Sequence, residues 1–142
     1  MSLIKFSASL VLACCVMTVG AAAPPQDYVA TAKRYLLETA GSGWSFSPSI
    51  HTGSLGRSGT YSFTASLERG VRYRIAGQCD NDCDDLDIHV YRDGALVVED
   101  VEVDDYPLVF VTPTTSGSYN IRAAMAGCKV APCGFAVGVM NR

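Results

Sequence analysis

The sequence predicts an all-β fold, an antiparallel jelly-roll-like β-sandwich with one short amphipathic helix on its N-terminal side. Three observations predict it. From Tyr61 onward the apolar residues recur with period two, the repeat of a strand with one wet face. Turn signals break that pattern at short intervals, at Glu68-Arg69-Gly70, Asp93-Gly94, Pro113 and Gly117. Only one stretch, Tyr28 to Ala40, carries helical spacing, so the strands lack the intervening helices that a parallel sheet needs.

Taken in order, the chain begins with Lys5, an uncharged apolar run from Phe6 to Gly20, and the small residues Ala21-Ala22-Ala23. Charged, then apolar, then small is the order of a secretory signal peptide. Pro24 disfavours a cut directly after Ala23, so cleavage is expected after Ala21 or Ala22, and residues 1–22 are assigned to the signal. A membrane anchor is the competing reading, but the run is shorter than the roughly 20 residues of a spanning helix and no basic flank follows. Val-Leu-Ala-Cys14 loosely matches a lipobox. Lipidation of Cys14 is the lesser alternative, because Val16 to Ala23 stay apolar where a lipoprotein turns polar.

Residues 23–56 read as the helix and a Gly/Ser-rich linker, and residues 57–142 as the sandwich. Asp27 is placed to cap the helix, Val29, Ala32, Leu36 and Ala40 share one face, and Gly41 ends it. Gly41 to Gly59 is expected to be loop with a short strand. Tyr61, Phe63 and Ala65 then alternate with Ser62, Thr64 and Ser66, and Val71, Tyr73 and Ile75 with Arg72 and Arg74. Leu86, Ile88 and Val90 oppose Asp85, Asp87, His89 and Tyr91, Asp93-Gly94 turns the chain, and Ala95 to Val98 returns it. Val109 to Thr112, Ser118 to Met125 and Phe135 to Met140 complete seven or eight strands.

Of 11 basic and 14 acidic residues the signal removes only Lys5, leaving a net charge of about −4 on one domain-sized chain. That excludes a nucleic-acid surface, which needs clustered Lys and Arg. The four remaining cysteines, Cys79, Cys83, Cys128 and Cys133, are an even set in a chain expected to be secreted or periplasmic, and imply two disulfides. Three pairings are open. The short gaps favour the local bonds Cys79–Cys83 and Cys128–Cys133, each of which would fix a loop. Zinc is the weaker alternative in an oxidising compartment without a close CxxC.

Eleven of the 14 acidic residues lie between Asp80 and Asp105, where Arg92 is the only Lys or Arg. Carboxylates this dense repel one another unless water or a cation screens them, and hard oxygen ligands suit Ca²⁺. Asp80, Asp82, Asp84, Asp85 and Asp87, joined by Asp104 and Asp105, are the candidate ligands. An EF-hand loop from Asp80 fails, with Asp85 at its sixth position and Tyr91 at its twelfth. The competing reading is a solvated acidic loop whose aspartates cap turns and keep a sheet edge from aggregating.

No nucleophile motif surrounds His51 or His89, and no GxSxG or HExxH occurs, so no catalytic residue is assigned. Most aromatic residues belong to the core pattern. Trp44 and Tyr106, in expected loops, are the candidates for ligand contact.

The run CDNDCDDLDIHVY into Asp93-Gly94, with Leu67 to Tyr73 before it and Pro113 to Tyr119 and Cys128 to Cys133 after it, resembles the bacterial pre-peptidase C-terminal domain over about residues 57–142. The resemblance implies a jelly-roll-like sandwich, usually appended to secreted peptidases and not itself catalytic. Some relatives bind calcium and extracellular matrix. This chain has no peptidase domain and adds cysteine pairs, so only Asp85 and Asp87 carry over as motif positions. The expected function is thus a secreted, non-catalytic binding or accessory module, with Ca²⁺ as its only expected cofactor and an extracellular or envelope protein or polysaccharide as its partner. A purely structural envelope protein and a small hydrolase with a carboxylate pair are the rivals.

Overall fold

Asp27 opens the described part of the molecule, residues 27–142 of the computed structural model; the expected signal peptide and Cys14 lie outside the described residues. The Asp27 carboxylate accepts a hydrogen bond from the Ala30 N–H at 3.0 Å and caps helix α1, Tyr28–Thr39. The predicted apolar stripe is the packed face: Ala32, Leu36 and Ala40 are buried and Val29 is half-buried.

Eight strands follow: β1 (Ser45–Leu55), β2 (Thr60–Leu67), β3 (Tyr73–Cys79), β4 (Cys83–Arg92), β5 (Ala95–Asp100), β6 (Leu108–Val111), β7 (Gly117–Cys128) and β8 (Cys133–Asn141). They form two antiparallel sheets, in the orders β1-β8-β3-β6 and β2-β7-β4-β5. Successive strands mostly change sheet, which is jelly-roll connectivity. The alternation predicted for β4 sets the register: Leu86, Ile88 and Val90 enter the core, opposite Met125, Ala123 and Ile121 of β7.

The strand β8 departs from simple alternation because it is covered twice. Cys133, Phe135, Val137 and Val139 face the sandwich core, while Ala136 and Met140 pack beneath α1. A strand buried on both faces reads as a continuous apolar run. Close approach of the helix requires glycine there. A Cβ on Gly134 would lie 2.3 Å from the Tyr28 backbone, and one on Gly138 would lie 2.5 Å from the Phe46 ring.

Two sequence expectations change. The linker does not reach residue 56, because β1 is a full edge strand paired with β8 from Ser45↔Asn141 to Leu55↔Cys133, so the sandwich begins at Ser45. Its sequence, SFSPSIHTGSL, lacks clean alternation, and its register shifts between Phe46 and Ile50. Pro48 falls inside that interruption, where a residue with no N–H to donate is tolerated. Strand β3 starts two residues later than the alternation from Val71 suggests and runs on to Cys79.

The β1/β2 side of the sandwich is closed by aromatic rings. His51 stacks on Phe63 at 3.7 Å between centroids, and Tyr61 lies 5.3 Å from Phe135. Gly134→Ala is expected to lower stability by about 1–3 kcal/mol through overpacking against α1, with Gly56→Ala, which meets nothing within 4 Å, as the unaffected control. Thermal melting of the two variants checks this.

Candidate binding surface

The residues Cys79 to Cys83 form a structural junction between the sheets. Cys79 ends β3 in one sheet and Cys83 begins β4 in the other, and their disulfide closes the crossing with 5.9 Å between Cα atoms. Cys128–Cys133 does the same between β7 and β8 at 6.0 Å, and Cys83 and Cys128 are partners in the β4/β7 register. Both expected local bonds are therefore present, side by side. Their main effect is to clamp the two sheets together, beyond the loop-shaping role expected of them.

Asp80 joins these two crossings. It is only 2% exposed, and its carboxylate accepts hydrogen bonds from the Asp82 N–H at 3.1 Å and the Gly134 N–H at 2.7 Å. The Lys129 N–H donates to the Asp82 carbonyl at 2.8 Å, and Tyr35 of α1 donates its hydroxyl to the Asn81 side chain, also at 2.8 Å. Asp84 pairs with Lys129 at 3.5 Å.

The seven aspartates expected as oxygen ligands consequently do not converge on a point. Among the described residues no group of three His, Cys, Asp or Glu side chains is placed to hold a metal ion. Backbone needs divide them: Asp80 serves its own loop and Gly134 of β8, Asp104 accepts from the Tyr106 N–H at 3.0 Å, and Asp85 and Asp87 lie on the outer face of β4. Asp105 contributes its backbone carbonyl to the Cys79 N–H. Burial raises the pKa of Asp85, with the charges of Asp84 and Asp104 adding to it and Arg57 opposing. Asp87 is also raised, by burial first and then by Asp85, against the opposing pull of His89.

The two aromatic candidates separate as well. Trp44 is half-buried, tilted against Phe110 at 5.9 Å with the Arg142 guanidinium over its ring. Tyr106 stands 59% exposed. It belongs to a feature that the sequence reading missed. Eight large apolar side chains are exposed among the described residues, and six of them lie between Leu96 and Phe110. Val101 is 52% and Val103 83% exposed.

Three of these six, Val101, Tyr106 and Phe110, line a groove of about 750 Å³ between β5 and β6, the edge strands of the two sheets on the side opposite the aromatic closure. Val98 and Val109 reach it from the sandwich interior, and Val101, Tyr106 and Phe110 line it further out. Asp100 ties the two edges together where they meet, accepting from the Leu108 N–H at 2.8 Å and from the Glu102 N–H at 3.2 Å. The groove was hard to foresee because Ala95 to Val98 read as an ordinary return strand; the apolar run ALVV without alternation was the available signal.

His89 and Glu99 approach to 3.4 Å across the β4/β5 pair. The one arginine of the acidic stretch, Arg92, turns to the far end of the sheet, donating to the Thr115 carbonyl at 2.6 Å and the Tyr119 hydroxyl at 3.0 Å.

Asp80→Ala should cost about 2–3 kcal/mol by leaving buried N–H groups unmatched, while loss of the exposed Asp84–Lys129 pair in Asp84→Ala should cost under about 1 kcal/mol; denaturant titration distinguishes them. For Asp85 and Asp87 the sign runs the other way. A carboxyl raised above its ordinary 3.8 holds its proton more tightly when folded, so folding loses stability as pH climbs from 3.8 through the raised value. The double variant Asp85→Asn/Asp87→Asn should therefore melt higher than the parent at neutral pH, with the gain vanishing below the carboxylate range. In the same melting series, a higher melting temperature in calcium than in chelator at neutral pH would mark the expected Ca²⁺ ligation, and coincident curves would speak against it.

No protein-family model matches the sequence, and no curated protein matches it.

Proposed function

We propose that the chain is an exported, non-catalytic β-sandwich that acts as a binding or accessory module, with the β5–β6 groove as its contact surface. The clustering of six exposed apolar side chains on that one side carries the reading. Contiguous apolar surface is unfavourable in water and is usually kept where a partner covers it. Elsewhere among the described residues only Leu37 and Val130 stand out in this way, while other apolar groups are buried under α1.

Export is supported by two disulfides and by the leader pattern, and no described helix is long and apolar enough to cross a membrane. The resemblance to the pre-peptidase C-terminal domain points the same way, toward an accessory sandwich. The hydrolase alternative asks for two carboxylates working across a cleft, whereas Asp100 and Asp104 in the groove each accept backbone N–H groups. The reading requires no calcium.

A solvatochromic apolar dye tests the surface directly. The native protein should bind it, and the triple variant Val101→Ser/Val103→Ser/Tyr106→Ser should lose most of that binding while melting at the parent temperature. Dye binding that survives the triple substitution, or none at all by the parent, would favour the purely structural role.

A further inference from the structure

We propose that the β5–β6 groove receives an extended cationic polypeptide segment, with basic and apolar side chains alternating, supplied by another protein. This rests on the groove being the contact surface and adds the identity of what fills it. The inference stands on the backbone, the apolar lining and the charge together.

Among the described residues, β5 and β6 each pair on one side only, with β4 and β3 respectively. Apart from the Leu108 N–H, which Asp100 takes, the opposite edge of each offers main-chain groups that no described strand satisfies, and an extended chain can take those hydrogen bonds by strand addition. Side chains of such a segment point alternately to opposite faces. One set then meets the apolar lining of Val98, Val101, Tyr106 and Val109, and the other meets the rim.

The charge of the groove selects the occupant. Glu99, Asp100, Glu102 and Asp104 line it, and no Lys or Arg does among the described residues. The hydrogen bonds that Asp100 and Asp104 accept from backbone N–H groups leave their charge in place. Arg92 is held at the other end of the sheet; Arg72 lies over the Phe110 ring at 4.7 Å and His89 meets Glu99 at 3.4 Å, so four carboxylates still outnumber the cations at the groove. A second copy of this chain would bring the same four acids to the contact, so self-pairing of the edges is opposed by like charge. Nucleic acid and anionic lipid are repelled for the same reason. A strand carrying Lys or Arg on alternate positions satisfies the rim, the lining and the edge at once.

The test uses the oxidised mature protein and a labelled short peptide of alternating Lys and Val, followed by fluorescence anisotropy. The peptide should bind at one site, and added salt should weaken it. The Glu99→Gln/Glu102→Gln variant, which leaves the loop-holding Asp100 and Asp104 intact, should bind it about tenfold more weakly. A Glu/Val peptide of the same length should not bind. Binding of the Lys/Val peptide that ignores both the salt and the double substitution would overturn the inference. So would spermine competing as effectively as the peptide, since a polyamine would then suffice. If the apolar dye binds as expected and the Lys/Val peptide does not, the groove stands as a contact surface and this occupant falls. If the dye fails as well, both fall.

Discussion

The covering of β8 on both faces is the constraint from which the rest of the architecture follows. One face completes the sandwich core with Phe135, Val137 and Val139; the other must accept a helix at backbone distance. Gly134, Ala136 and Gly138 make that approach possible, since a side chain at Gly134 would occupy the position of the Tyr28 main chain. The helix is then fixed over β8 and β3, with Arg74 donating to the Thr39 and Ala40 carbonyls at the helix end. Phe46 and Trp44 fill the flank beside it. Among the described residues nothing equivalent covers β5, so the layer that completes one sheet leaves the opposite corner uncovered by them.

The disulfides and Asp80 hold the same end of the sandwich by a different means. Burial stabilises strands in proportion to area, but it does little to fix where the chain crosses from sheet to sheet. Two covalent bonds at adjacent register positions, bridged by a buried carboxylate that accepts N–H groups from both crossings, fix those points. Part of the acidic density near Cys79 thus serves local backbone chemistry.

Much of this was legible in the sequence, and the reasons it was legible are physical. Alternation in β2, β4 and β7 is enforced by one wet and one dry face, so Leu86, Ile88 and Val90 could be assigned to the core before any coordinates. The helix face and its Asp27 cap were equally plain. Strand β1 was obscured because edge strands with mixed burial have no period to display, and its Gly and Ser content imitates a linker. The candidate site was less legible still. A run of aspartates in sequence looks like one site, yet alternate residues of a strand leave by opposite faces, and turn residues fold back on their own N–H groups. Seven carboxylates close in sequence therefore ended in several environments. Conversely, Val98, Val101, Tyr106 and Val109 become neighbours only when two edges from different sheets are brought together by Asp100 and Leu108.

The acids that remain around the groove acquire a different meaning from the ligand set first suggested by their density. An exposed apolar edge invites pairing with any other exposed edge, its own copies above all. Charging the rim with one sign removes that hazard without covering the apolar lining, because repulsion between copies acts whatever the shape of the approach. The same device narrows the set of acceptable partners to those that bring the opposite sign. Selectivity and protection against self-association then come from one feature, and neutralising Glu99 and Glu102 would weaken both together. On the proposed reading, Glu99, Asp100, Glu102 and Asp104 form the electrostatic guard of an uncovered sheet edge.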